Sequence, residues 1–431
     1  MSKQSKIILL VVLVAAAGLV VCVGLLGAGL AAFWGLRVNT AQEVHATQQA
    51  VQMERAQLLS VAAAAETTKA EAPAPATPAP AAETSAAPAA DAKVVAERRK
   101  AAIAKAVAYL LKQQAADGSW GEGNVGITAL CVDALFAGGK KLDDPAVKKA
   151  VDLLLKAQKP DGGIYDDAGL KTYSTSIAVG VLMAADKKAY ADAIARATEF
   201  LKKNQWDEGE SIDRANPWYG GHGYGKSERP DLSNTQYFVE AMQRAGVPKD
   251  DPLWAKVVVF VSRSQDRSES NDKAFVGTDS GGMVYAPVGG GESKSGTLDL
   301  PDGRKGLKAY GSMTYAGFKS FIYADLKRDD PRVVAALEWI RKHWTFEENP
   351  EMGQQGLYYY YQTSAKALKA WGEDTVMDSR RRSHDWRTEL TEALLKRQKD
   401  DGSWTNEADR WFEGFGPVPT SYALVALAEC Q

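Results

Sequence analysis

Of the four histidines in this chain, His222 alone lies where it could pass a proton to a ligand. It sits in the run Asn216-Pro217-Trp218-Tyr219-Gly220-Gly221-His222-Gly223-Tyr224-Gly225, and Asp231 follows after Arg229-Pro230. An imidazole beside a carboxylate titrates near neutral pH and can serve as a general acid–base pair, so His222 and Asp231 are the candidate catalytic residues. The other histidines belong to helical stretches: His45 near the N-terminus, His343 at the end of a charged helix, and His384 just before Asp385-Trp386-Arg387. Around His222 and at two later helix starts, the candidate ligand-binding set is Trp218, Tyr219, Tyr224, Arg229, Ser233, Asn234, Tyr310, Ser312, Tyr359 and Gln362. Hydroxyl and amide groups bind and orient, but they are too weakly acidic to protonate an alkene. The competing reading is that Ser caps a helix and Tyr fills the interior. No metal-ligand spacing appears, and no cofactor is implied.

Repetition supplies the elements that must hold these residues. A helix-like stretch ending in Gln, then a short step and Asp-Gly, reads Tyr109-Leu110…Gln114-Ala115-Ala116-Asp117-Gly118-Ser119-Trp120. It recurs as Leu153-Leu154…Gln158-Lys159-Pro160-Asp161-Gly162-Gly163 and as Leu394-Leu395…Gln398-Lys399-Asp400-Asp401-Gly402-Ser403-Trp404. Weaker copies, Phe200-Leu201…Gln205-Trp206, Phe260-Val261…Gln265-Asp266 and Trp339-Ile340…Trp344, bring the total to six.

Each copy closes a charged amphipathic helix and leads into a less charged one. The charged helices start near Val95, Asp144, Tyr190, Asp251, Asp330 and Asp385, and three of these starts read Asp-Pro, an N-cap followed by Pro at the first helical position. The second set spans 125–136, 173–183, 233–244, 312–323, 359–371 and 419–429, apolar nearly all round in several cases, as suits enclosed helices. The expected fold is all-α, an (α/α)6 toroid of six inner and six outer helices. Gly118, Gly162 and Gly402 are expected in the left-handed conformation, with the nearby Gln and Trp packing on the next pair.

Over residues 95–431 this pattern resembles the squalene-hopene cyclase and protein-prenyltransferase β-subunit superfamily, whose QW-type repeat is matched by Lys105-Ala106…Tyr109-Leu110…Gln114…Gly118-Ser119-Trp120. The resemblance implies the toroid, a central cavity and an isoprenoid-like ligand. It also implies two chemistries, and the residues for both are replaced. Where the cyclases carry an acidic DxDDT phrase, Asp231-Leu232-Ser233-Asn234-Thr235 keeps the first Asp and the Thr only. Where the prenyltransferases bind zinc through Asp, Cys and His, the matching positions are Tyr310, Ser312 and Gln362.

Two connections are too long to be simple joins, 206–230 and 265–309, and both lead into an inner helix, which marks them as a lid or ligand platform at the N-terminal mouth of the ring. Six helix N-termini at that mouth would favour an anionic or hydroxyl-rich ligand. The leading expectation is a binding protein without cyclase or prenyltransferase chemistry. One alternative is a carbohydrate-active lyase or hydrolase of the cell envelope using His222, Asp231, Arg229, Arg267 and Arg304. The other is a terpene cyclase with Asp231 as its acid.

Net charge −2 over 431 residues excludes the electrostatic footprint of nucleic-acid binding. From Ile7 to Leu36 there is no charge, and that length exceeds the roughly 20 apolar residues that span a bilayer. Lys3 and Lys6 with Ala15-Ala16-Ala17 also fit a cleaved signal peptide, but the apolar run continues well past them. The expected organisation is a cytoplasmic 1–6, a single-pass anchor 7–36 in the inner or plasma membrane, a juxtamembrane helix 37–61, an Ala/Pro-rich tether 62–94, and an extracytoplasmic ring domain 95–431. Cys131 and Cys430 read as two small buried hydrophobes rather than a disulfide.

Overall fold

Asp side chains set the starts of most charged helices. In the computed structural model Asp144 accepts from the Ala146 amide, Asp251 from that of Leu253, Asp330 from that of Arg332, and Asp385 from that of Thr388. The structure describes residues 89–431 except 168, 226 and 227. The expected anchor 7–36, the juxtamembrane helix 37–61 and most of the tether lie outside the described residues. Among the described residues no helix is long and apolar enough to cross a membrane.

Twelve α-helices are present among the described residues. Outer helices are α1 (Ala89–Lys112), α3 (Pro145–Lys156), α5 (Ala191–Lys203), α7 (Pro252–Ser264), α9 (Pro331–Lys342) and α11 (Trp386–Leu395). Inner helices are α2 (Val125–Ala137), α4 (Lys171–Asp186), α6 (Leu232–Ala245), α8 (Gly311–Tyr323), α10 (Leu357–Trp371) and α12 (Pro417–Glu429). Each inner helix packs on the next, and α12 packs back on α2, which closes the ring. Helix α1 starts before the expected Val95, because the Ala-rich residues from Ala89 are strong helix formers and join it. Two hairpins were not foreseen: β1 (Thr297–Asp299) pairs with β2 (Lys305–Leu307), and β3 (Thr375–Met377) with β4 (Ser383–Asp385). Three residues per strand are too few for an alternation to show in sequence.

The recurring Gln has a structural task. Gln114 Nε2 donates to the Gly118 carbonyl of its own turn and to the Ala146 carbonyl of the next outer helix, both at 2.9 Å. Gln158 bridges Gly162 to Ala193, Gln205 bridges Gly220 to Leu253, and Gln265 bridges Gly281 to Arg332 in the same way. Gln398 completes the circle, donating to Gly402 and to Ala102 of α1. In the fifth repeat Trp344 replaces Gln, and its Nε1 donates to Glu389 of α11 at 2.9 Å. A Thr near the start of the following inner helix then pins the descending strand: the Trp120, Ile164, His222, Met283 and Trp404 amides donate to Thr128, Thr175, Thr235, Thr314 and Thr420.

Glycine is required in these turns by contact as well as by φ. At Gly402 (φ +87°) an added Cβ would stand 2.5 Å from the Lys105 carbonyl oxygen of α1. Gly139 (φ +90°) has open space around it. Gly402→Ala is therefore expected to destabilise by about 2–4 kcal/mol, against about 1 kcal/mol for Gly139→Ala, whose cost is backbone strain alone. Equal losses in urea melts would mean that the ring seam is not in contact there. Cys131 and Cys430 are both free and buried.

Candidate functional site

The first turns of the inner helices converge on one cavity of about 220 Å³. α2 contributes Ile127, α4 Tyr173, α6 Ser233, α8 Ser312 and Met313, α10 Tyr359, and α12 Val418 and Tyr422, while the long 265–309 connection adds Tyr285 and Lys294. The wall is aromatic and aliphatic, and its hydroxyl groups are tied to one another. Ser233 Oγ is hydrogen-bonded to the Tyr173 hydroxyl and, at 3.0 Å, to that of Tyr359, to which Gln236 Nε2 also donates at 3.1 Å. The Tyr224 and Tyr285 hydroxyls meet at 3.1 Å.

Of the sequence candidates, Tyr224, Ser233, Tyr310, Ser312 and Tyr359 do line this cavity. The rest do not. Trp218 packs edge-on against Trp206, and the Tyr219 hydroxyl donates to Glu208 on the outer rim. Arg229 is ion-paired with Glu292. Asn234 is spent on Asp231, donating to its carboxylate through both the backbone amide and Nδ2 at 2.8 Å. Gln362 lies deeper in the bore, beside Lys366 and Glu240.

The proposed catalytic pair is not assembled. His222 is fully buried and occupies the repeat position held by Trp120 and Trp404 elsewhere. Its Nε2 meets the Leu201 carbonyl at 2.9 Å, as the Trp120 indole meets that of Leu110 and the Trp404 indole that of Leu394. Its ring stacks on Phe238, and burial pushes its pKa down to about 4, which keeps it neutral. Contact with Asp231 runs through the backbone, from the Asp231 amide to the His222 carbonyl at 3.0 Å. Asp231 is the N-cap of α6; burial raises its carboxyl to about 6, against the hydrogen bonds from Asn234. The charged groups of the lyase alternative are likewise scattered, with Arg267 paired to Glu269 and Arg304 to Asp302.

Four of the six inner-helix N-termini are already occupied. Carboxylates of the chain already fill three of them: Asp166 accepts from the Val125 amide of α2, Asp231 caps α6, and Glu413 accepts from the Tyr359 amide of α10. In α8 the Asn349 side chain takes the Ser312 amide. Chain-supplied acceptors thus neutralise most of the positive helix ends that would have drawn an anionic ligand.

Sequence reasoning missed Glu413. It lies in the cavity wall, fully buried, with Oε1 accepting from the Tyr359 amide at 2.9 Å and Oε2 from Asn406 Nδ2 at 2.7 Å. Burial raises it to about 7, against these hydrogen bonds. The neighbouring Trp411 (φ +61°) and Phe412 (φ +64°) are both left-handed, both exposed, and both at the cavity edge. The signal was a carboxylate set among aromatics in Trp411-Phe412-Glu413-Gly414-Phe415, inside a long connection.

Below the cavity, past Leu130 and Ile177, lies a second, water-sized space lined by charge. Glu240 of α6 accepts from Lys319 of α8 at 2.8 Å and from Lys366 of α10, and Arg244 pairs with Asp133 of α2 at 2.7 Å. Burial opposes ionisation of Glu240, but the two ammonium groups outweigh it and hold the carboxyl well below the usual range.

Residues 123–286 match the model of the squalene-hopene cyclase C-terminal domain. A probable squalene–hopene cyclase of Sinorhizobium fredii is 34% identical over 136 residues, which is 26% of this chain and 20% of that protein. The squalene–hopene cyclase of Bradyrhizobium diazoefficiens is 36% identical over 131 residues, 25% of this chain and 19% of that one. The chain thus spans about a fifth of the length of the curated relatives it matches. Among solved structures, the type II terpene cyclase MstE from Scytonema aligns with a TM-score of 0.46 and 14% identity, covering 78% of this chain and 98% of that one.

Proposed function

We propose that this chain, whose resemblance to the squalene-hopene cyclases runs through its repeats, binds a small, largely apolar ligand in the aromatic cavity and carries out neither cyclisation nor prenyl transfer. The observation that carries this reading is the cavity wall at the start of α6. Ser233 faces the space there, tied to Tyr173 and Tyr359, while Asp231 stands outside the lining with its carboxylate held by Asn234. Glu413, the one carboxyl in the lining among the described residues, uses both oxygens as hydrogen-bond acceptors. A cavity of about 220 Å³ also falls below the roughly 300–1,000 Å³ of sites for drug-sized molecules, which favours a small ligand over a triterpene.

Incubating the full chain with squalene or geranylgeranyl diphosphate is expected to yield no new hydrocarbon. A cyclised or transferred product, lost in Ser233→Ala or Asn234→Ala, would overturn the reading. A neutral apolar fluorophore such as N-phenyl-1-naphthylamine is expected to bind one to one. Ile127→Trp, which puts bulk into the cavity from a half-buried position, should weaken it more than tenfold without lowering the melting temperature.

The uncharged stretch 7–36, preceded by Lys3 and Lys6, supports a further part of the proposal: a single-pass anchor in the inner or plasma membrane, with the ring outside the cytoplasm. Recovery of the chain in the soluble fraction after alkaline washing of membranes would refute it.

A further inference from the structure

Six tyrosines line the cavity: Tyr173, Tyr224, Tyr285, Tyr310, Tyr359 and Tyr422. Four of their hydroxyls are consumed within the wall, by the Tyr173–Ser233–Tyr359 chain and the Tyr224–Tyr285 pair. Those residues therefore offer a ligand mainly their rings, and a ring carries a negative electrostatic potential over its face. Three of the six inner-helix N-termini, which could have supplied positive potential, are filled by Asp166, Asp231 and Glu413. The chain already places a cation on this wall: Lys294 Nζ lies 4.6 Å from the centroid of the Tyr285 ring, at the cavity edge, paired with Glu292 at 2.6 Å.

Resting on the ligand-binding reading above, we infer that the cavity takes an organic cation of the quaternary ammonium class, its charge on the tyrosine rings and the Glu413 carboxyl group in the wall as counter-group. Quaternary ammonium suits this geometry because it carries no N–H donor and needs no acceptor from hydroxyls that are already engaged. Its alkyl groups match the aliphatic part of the wall, Ile127, Leu130 and Ile177. Lys294 competes for the same rings from the mouth.

The test compares choline with 3,3-dimethylbutan-1-ol, its neutral isostere, by calorimetric titration of the full chain. Choline is expected to bind about tenfold more tightly, within the range of a desolvated cation–π contact. Tyr285→Phe should keep that preference, Tyr285→Leu should lose most of it, and Lys294→Met should raise choline affinity severalfold by removing the internal competitor. Equal or tighter binding of the isostere would overturn the cation assignment while leaving the ligand-binding reading in place. Failure of choline, the isostere and N-phenyl-1-naphthylamine alike would overturn both.

Discussion

Glu240→Ala is expected to destabilise the domain by about 3–5 kcal/mol, the cost of stripping a buried charge of its partner. The carboxylate is shared by Lys319 and Lys366, whose side chains are 1% and 8% exposed, so its removal leaves two buried ammonium groups without their paired carboxylate. Glu240→Gln keeps an acceptor and should lose less. The triple variant Glu240→Leu, Lys319→Met, Lys366→Met replaces the whole cluster with apolar groups of similar size and should recover most of the loss. Urea unfolding at neutral pH measures all three, and a single-variant loss below about 1 kcal/mol would show that the cluster is hydrated rather than dry. The pH dependence has a definite sign. The folded carboxyl titrates below its unfolded value of about 4.3, so its stabilisation is complete above that value and is lost as the pH falls toward the folded pKa.

The second large effect is expected at Trp404. Its ring is fully buried, its Nε1 donates to the Leu394 carbonyl at 2.9 Å, and its amide is pinned by Thr420 at 3.0 Å. Trp404→Ala should cost about 3–5 kcal/mol through the cavity it leaves and the carbonyl it orphans. Trp404→Phe retains most of the packing and should cost about half as much. Guanidinium melts with a common slope would check both, and a Phe variant as damaging as Ala would assign the effect to the hydrogen bond instead of the volume.

The repeat made the ring legible because each copy carries its own physical markers: an Asp cap, an apolar helix, a Gln that reaches the next pair. Asp144, Asp251 and Asp330 could be placed as caps from sequence, and Asp385 as a helix start, because capping depends on a few adjacent residues. His222 was misread for the converse reason. Its neighbours Gly220-Gly221 and Gly223 looked like a ligand loop, yet they are the Gly-Ser-Trp turn of another repeat with an imidazole in place of the indole. Aligning His222 with Trp120 and Trp404 would have revealed this. Ser233, Tyr310, Ser312 and Tyr359 were found because inner-helix starts must face the bore, and Tyr224 because its long connection leads to that mouth. Glu413 was not, since its place in the wall depends on a left-handed pair, Trp411 and Phe412, that no local rule anticipates. The bore cluster was hidden by distance, although Glu240, Lys319 and Lys366 are conspicuous as charges within largely uncharged inner helices.

The Gln398 bond to Ala102 joins residues 296 positions apart. An open solenoid can nucleate at any repeat and grow, and its two ends are finished by specialised caps. This ring has no ends: its first and last pairs are neighbours, and each covers the other where a solenoid would carry a cap. Its closing contacts join the two ends of the domain, so the loop-closure entropy of bringing them together is large. The number of pairs is thereby fixed by geometry, and a chain with one pair more or one fewer would be a different fold rather than a longer or shorter version of this one.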